Sequence, residues 1–335
     1  MSSANPRCCI AKRNASGLRI RKAKREAPIG KLADIRKRSR IKGRRYARRA
    51  LLAGEMGLWA LGRVGLSPVA VLDTVSRLKG DKDVRCLARG IAYGDDPRQR
   101  LDLWAPRKPG HDHLPVVIFF YGGGWVVGER GEFGYVARSL AQRGFLAVMP
   151  DYRLAPHARF PDFIHDGAAA LRWVRDNIAQ FGGDPDRIAI AGHSAGGHLA
   201  ALLALDPRYL EKEGLDPGLV KAAALLSTPT NFYPFIDPRA IAALGSHHDP
   251  DETQPINFAR ADAPPILLQT GTADITVRAR NSQQLAKALE DQGADVELKF
   301  YRGATHSDPV KAFSPIFSKY TVVEDLVDWL AKKLS

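Results

Sequence analysis

Three short stretches of this chain carry residues that could do nucleophilic chemistry together. They are Gly192-His193-Ser194-Ala195-Gly196, Thr272-Ala273-Asp274 and Ala304-Thr305-His306. A serine hydroxyl is a poor nucleophile at neutral pH. It needs a base within hydrogen-bond reach, and the base needs an acceptor that fixes its ring. The first stretch has the G-x-S-x-G form. Small residues two before and two after the serine let the backbone make a tight strand-to-helix turn that lifts the hydroxyl out of a sheet. The same turn leaves the amide of Ala195 at a helix N-terminus, where a developing oxyanion is stabilised.

For this turn to form, a strand must precede it and a helix must follow it. Ile188 to Ala191 reads as a short buried strand, and Leu199 to Leu205 as an Ala/Leu-rich helix. The partners must also reach the carboxyl end of the same sheet, where functional groups of parallel α/β folds collect. Asp274 follows the strand expected at Ile266 to Gln269. His306 follows the one at Val296 to Tyr301. Rivals are placed less well. Asp262 and Asp295 precede strands, Asp308 caps its own loop, and His111 and His113 lie before a strand. His193 and His198 flank the serine too closely to reach back. His247 and His248 could touch a substrate.

Gly122-Gly123-Gly124 follows the apolar run Val116 to Phe120, which reads as a central strand buried on both faces. Consecutive glycines let a backbone curl its amides toward a carbonyl oxygen. No Gly-Lys-Ser/Thr follows them and no G-x-G-x-x-G opens a helix, so a phosphate loop is not supported. Elsewhere, Val84 to Tyr93 and Gln99 to Trp104 predict a hairpin about Gly94-Asp-Asp-Pro97. Phe133 to Arg143, Asp162 to Phe181, Asn281 to Gln292 and Tyr320 to Lys333 predict helices. Phe145 to Met149 and Ala222 to Leu226 predict strands. This alternation predicts an α/β fold with a mostly parallel central sheet and helices on both faces. Residues 228–264, rich in Pro, Asp and aromatics, predict a small cap beside the site. Trp125, Phe232 and Tyr233 are candidate pocket walls.

Four motifs, in order, now carry a resemblance. Tyr121-Gly-Gly-Gly-Trp125, Asp151-Tyr-Arg-Leu-Ala-Pro156, Gly182-Gly-Asp-Pro-Asp-Arg187 and Gly192-His-Ser-Ala-Gly-Gly197 resemble α/β-hydrolases of the hormone-sensitive-lipase-like carboxylesterase group. The elbow itself is similar to the feruloyl-esterase-like and kynurenine-formamidase-like branch. The resemblance spans about residues 88–333. It implies oxyanion donors at the amides of Gly123, Gly124 and Ala195, and a Ser194, Asp274, His306 triad that needs no metal or organic cofactor. The family usually has His where this chain has Tyr121, and the Tyr hydroxyl is expected to hold the glycine loop instead. The implied activity is hydrolysis of a small-molecule carboxylic ester with a short or medium acyl chain. An arylformamidase is the nearest alternative. A non-catalytic binding protein of the same fold is the alternative of another class.

The net charge of +14 belongs to one end of the chain. Residues 1–50 hold 18 Lys/Arg and 2 Asp/Glu, a net +16, whereas the rest carries −2. Residues 1–49 therefore read as a basic, disordered tail able to meet an anionic membrane or nucleic acid. Residues 50–83 read as an amphipathic helical segment, with Met56 a possible translation start at the composition break, and 84–335 as the hydrolase domain. Cys8, Cys9 and Cys86 form no disulfide framework. With neither a signal-peptide core nor an apolar run of about 18 residues, the expected location is cytoplasmic.

Overall fold

In a computed structural model, the structure describes residues 73–74, 82–108, 113–317 and 319–335. The basic tail, Met56 and nearly all of the predicted 50–83 segment lie outside them. The described strands form one sheet of eight. They are β1 (Val84–Ala92), β2 (Arg100–Pro106), β3 (Leu114–Phe120), β4 (Leu146–Pro150), β5 (Gly183–His193), β6 (Val220–Leu226), β7 (Ile266–Gly271) and β8 (Val296–Tyr301). Their spatial order is β1-β2-β4-β3-β5-β6-β7-β8. Only the β1–β2 and β2–β4 pairings are antiparallel; the others are parallel. This is the α/β-hydrolase architecture the motifs implied.

Composition explains the sheet. β3, β4 and β6 are almost wholly apolar, and their side chains are buried on both faces, as parallel strands between two helix layers require. The helices are α1 (Gly134–Ala141), α2 (Asp162–Asn177), α3 (Ala195–Leu205), α4 (Arg208–Lys212), α5 (Pro238–Leu244), α6 (Arg280–Asp291), α7 (Asp308–Lys311) and α8 (Val322–Lys333). Every side chain of α3 is buried. A methyl group on Gly167 of α2 would lie 2.7 Å from Leu199 Cδ2, so α2 crosses α3 at close range. On the other flank, Gln269 Nε2 donates to the Val322 carbonyl and the Tyr301 hydroxyl at 2.8 and 2.6 Å. These bonds tie the last helix and the edge strand β8 to β7.

Several element boundaries differ from those predicted. The helix after Ser194 starts at Ala195 rather than Leu199, because Gly196 and Gly197 are already helical. Their low propensity is overridden by packing, since only glycine fits there. The long helix predicted to Phe181 ends at Asn177 and continues as a 3-10 turn, Ile178–Phe181, stopped by Gly182 at φ 84°. Residues 228–264 contain α5 and two 3-10 turns, Pro250–Thr253 and Pro255–Phe258. The short helices α4 and α7 were not predicted; at four or five residues they are below what periodicity can detect.

The strand order reverses direction at β3. From there the chain runs outward to β4, then returns to β5 on the other side. The carboxyl ends of β3 and β5 therefore lie side by side, with Phe120 opposite Gly192. Such a switch point leaves a crevice where ligands bind in open α/β sheets. The approach is tight. A methyl group on Gly196 would sit 2.2 Å from the Phe120 carbonyl oxygen and 2.3 Å from that of Tyr121. Gly196→Ala should therefore cost about 1–3 kcal/mol or more, lowering the melting temperature by about 2–4 °C per kcal/mol. Calorimetry of the variant beside the wild type checks this.

Candidate active site

Ser194 occupies the turn between β5 and α3 with φ 54° and ψ −120°. A non-glycine residue reaches that region only when its surroundings hold it there, at about 1–3 kcal/mol of strain. Three things hold it. Its amide donates to the Leu226 carbonyl at the end of β6, at 2.9 Å. Its own carbonyl accepts from His198 one turn on, also at 2.9 Å. The glycines on either side let the turn close, for a methyl group on Gly192 would lie 2.3 Å from the Gly196 oxygen.

The structure brings the three predicted residues together. Ser194 Oγ lies 2.9 Å from His306 Nε2, and His306 Nδ1 lies 2.9 Å from Asp274 Oδ2. A carboxylate only accepts, so Nδ1 carries the ring proton and Nε2 faces the serine as an acceptor. The other Asp274 oxygen accepts from the amides of Thr276 and Val277, both at 2.9 Å. Burial would raise the Asp274 carboxyl, but the His306 bond and these two amides hold it below the usual carboxylate range. It is an anion aimed at the imidazole.

His193 and His198 are not rival bases. His193 Nε2 donates to the His306 main-chain oxygen at 2.9 Å, so β5 grips the loop that carries the imidazole. His198 Nε2 donates to the Thr253 carbonyl at 2.8 Å, which ties α3 to residues 228–264. Burial, aided by the neighbouring His306, lowers His193 to about 3. Burial lowers His198 to about 4. The sequence placed both beside the serine but carried no signal for either bond. Asp308 does cap its own loop, accepting from the Thr305 amide and hydroxyl at 2.7 and 2.9 Å.

The glycine loop follows β3 directly. A methyl group on Gly122 would lie 3.2 Å from Ser194 Cβ, so the loop abuts the serine. Gly123 and Gly124 take φ of 150° and 61°, the left-handed half of the map that glycine alone enters freely. The amide of Ala195 is one of the first four of α3, which have no partner within the helix. Trp125 is buried, stacks on Phe232 with centroids 6.0 Å apart, and meets His198 edge-on at 5.2 Å. Tyr233 is half exposed and packs edge-on against Phe235 instead. Gln254, which sequence reasoning missed, shapes this turn by accepting from the amides of Phe232 and Tyr233. Arg239 of α5 closes over the loop, since a methyl group on Gly124 would meet its Cδ at 2.8 Å.

Tyr121 holds the loop as expected. Its buried hydroxyl donates to Asp151 Oδ1 at 2.9 Å and accepts from Arg98 Nη2 at 3.0 Å. Burial, with Tyr152 and Asp151 adding to it, pushes the phenol well above its ordinary range, so it stays a donor. Asp151 also accepts from the Arg130 amide and pairs with its guanidinium. Tyr152 donates to the Tyr121 carbonyl at 2.8 Å, and Arg153 pairs with buried Asp166 at 2.7 Å. The Asp151-Tyr-Arg motif is thus the strut under the glycine loop. Its pattern was visible in the sequence; its job was not.

His247, His248 and Glu252 offer metal-ligand atoms within 4.8 Å of one another. Glu252 is already committed, however, to His247 Nε2 at 2.7 Å and Arg208 Nη1 at 3.0 Å. Its chemistry is that of a closed ion-pair cluster. His247 is bonded to Glu252, and its ring lies 4.6 Å from that of His248.

The chain is similar to several known proteins. A family model described as BD-FAE matches residues 101–289. Esterase LipC of Mycobacterium tuberculosis (strain ATCC 25618 / H37Rv) is 36% identical over 220 residues, covering 60% of this chain and 54% of LipC. Isoprenylcysteine alpha-carbonyl methylesterase ICME of Arabidopsis thaliana is 33% identical over 242 residues, 66% of this chain and 56% of ICME. The chain thus spans about half the length of the curated relatives it matches. The crystal structure of esterase B from Lactobacillus rhamnosis superposes with a TM-score of 0.66 at 26% identity, covering 86% of this chain and 97% of that one.

Two outcomes follow from the geometry. Tyr121→Phe removes the donor to Asp151 and leaves a buried carboxylate short of a partner. It should cost about 1–3 kcal/mol of stability, read as a fall in melting temperature. The buried histidines also set an acid limit. Their folded values lie below the ordinary 6.5, so below pH 6.5 the unfolded chain binds protons that the folded chain refuses. Stability is complete above that pH and is lost as pH falls toward about 4, at up to about 1.4 kcal/mol per pH unit for each histidine. Urea unfolding between pH 4.5 and 7 checks this. His198→Gln, which keeps a donor to Thr253, should flatten the slope by about half.

Proposed function

The chain belongs to the BD-FAE family, and from that premise we propose that it hydrolyses carboxylic esters through an acyl-enzyme on Ser194. The observation that carries the reading is the unbroken line from Ser194 Oγ through the His306 ring to Asp274, with both gaps at 2.9 Å. Ser194 attacks the ester carbonyl as His306 Nε2 takes its proton. The imidazolium that forms is stabilised by the Asp274 carboxylate on Nδ1. The former carbonyl oxygen, now negative, is held by the amides of Gly123, Gly124 and Ala195. His306 then returns the proton to the departing alcohol oxygen. Water repeats the sequence in reverse on the acyl-enzyme, with His306 as base, and releases the acid.

The relatives support this choice over an arylformamidase, since the proteins LipC and ICME are both named as esterases. They also favour an enzyme over a non-catalytic binding protein. Residues 228–264 act as a small cap, supported by the contact of Arg239 with the glycine loop and the bond from His198 to Thr253. Trp125 and Phe232 form the pocket wall, with Tyr233 at its outer edge. The substrate is a small-molecule ester. No helix among the described residues is long and apolar enough to cross a membrane.

p-Nitrophenyl esters of graded acyl length test the reading. Wild type should give a burst of p-nitrophenol that scales with enzyme concentration. Ser194→Ala should lose the burst and at least about 10⁴-fold in turnover. A Ser194→Ala protein that keeps its rate would overturn the assignment.

A further inference from the structure

Among the described residues, six large apolar side chains are conspicuously exposed. One of them, Phe300, lies on the edge strand. The other five lie on three segments: the end of the glycine loop, residues 233–241 and the turn after β7. Val127 ends the glycine loop. Tyr233, Ile236 and Ile241 lie on the segment that meets that loop through Arg239. Ile275 follows Asp274 directly. Ile236 and Ile275 are each 89% exposed, and apolar exposure gathered on segments that border one site marks a contact surface.

We propose that this rim seats the protein on an anionic lipid bilayer, with the opening above Ser194 turned toward esters carried in the membrane. The inference rests on the ester-hydrolase reading for what happens after docking, but not for docking itself. Two observations select the occupant. The exposed apolar side chains belong to separate segments, Ile275 next to Asp274, Val127 at the end of the glycine loop, and Tyr233, Ile236 and Ile241 on the segment that carries Arg239. A fluid acyl layer accepts such scattered anchors without the complementary shape a protein partner needs. Charge points the same way. Arg278 and Arg280, close after Ile275, are exposed, and neither guanidinium has a partner among the described residues. Of the exposed acidic groups in these segments, Asp237 is paired with Arg239 at 2.6 Å, Glu129 lies two residues after Val127, and Asp249 and Asp251 lie beyond α5, past Ile241. Residues 1–50 add a net +16 to the same chain. Apolar anchors combined with Lys/Arg are what hold proteins at anionic interfaces.

The test uses the full chain, vesicles of phosphatidylcholine with and without phosphatidylglycerol, and two p-nitrophenyl esters. One is a long-chain ester dissolved in the vesicles; the other is the water-soluble acetate. Wild type should cleave the vesicle-borne ester faster when phosphatidylglycerol is present. The double variant Ile236→Asp/Ile241→Asp should lose about tenfold or more of that rate, and Arg278→Glu/Arg280→Glu should lose the phosphatidylglycerol advantage. Both should cleave the acetate like wild type. A double Asp variant as fast as wild type on vesicles would sink the proposal. So would an equal loss on the acetate, which would make the rim part of the substrate pocket. If wild type cleaves no ester at all, the function reading fails separately. Vesicle flotation at about 1 M NaCl, where the basic residues are screened to about 3 Å, then decides docking. Wild type floating while the double Asp variant stays behind supports the rim. Equal flotation overturns it.

Discussion

Everything in this site depends on how closely the end of β5 passes the end of β3. The backbone of Gly196 runs against the carbonyls of Phe120 and Tyr121 at a separation that leaves no room for a side chain. That approach sets the serine beside the glycine loop. It also forces the unusual backbone at Ser194, because a looser turn would carry the hydroxyl away from the crevice. The strain is local, whereas its support is distributed. Ser194 is anchored to β6, His306 is gripped by His193 from β5, and Asp274 is fixed by two amides of its own loop.

A second constraint is electrostatic. The glycine loop has no side chains to hold itself, so its shape comes from beneath. Tyr121, Asp151, Arg98 and Arg130 form one bonded cluster, and Tyr152 adds a bond to the Tyr121 carbonyl. The Tyr at position 121 meets this need through its hydroxyl and its ring. It keeps a donor toward Asp151 and adds a buried ring stacked between Phe133 and Tyr152. A charged cluster of this kind is costly to break one member at a time, because each loss strands a buried partner.

The fold and the meeting of Ser194, His306 and Asp274 were legible in the sequence because they rest on short-range rules. Buried strands read as apolar runs, the elbow needs its glycines, and Asp274 and His306 follow strands at the end of the sheet where Ser194 must lie. What could not be read was side-chain pairing across long separations. Nothing local says that His193 will hold a carbonyl 113 residues away, or that Gln254 will order the turn at Phe232. Arg239 meeting Gly124 is likewise a product of how residues 228–264 fold back, which periodicity does not describe. Helix starts were missed for a related reason. Gly196 and Gly197 argue against helix by propensity, and only the packed structure overrides them.

The three groups of the proposed triad follow strands of unequal security. Ser194 and the glycine loop belong to the middle of the sheet, but His306 rides on the turn after β8, the outermost strand. Edge elements open more readily than central ones. A molecule in which only that margin has loosened would keep nearly all its helices, Ser194 in its turn and its glycine loop, yet lack the proposed base. Loss of competence on warming would thus precede loss of secondary structure. Its rate would report the fraying of one border strand rather than the melting of the domain.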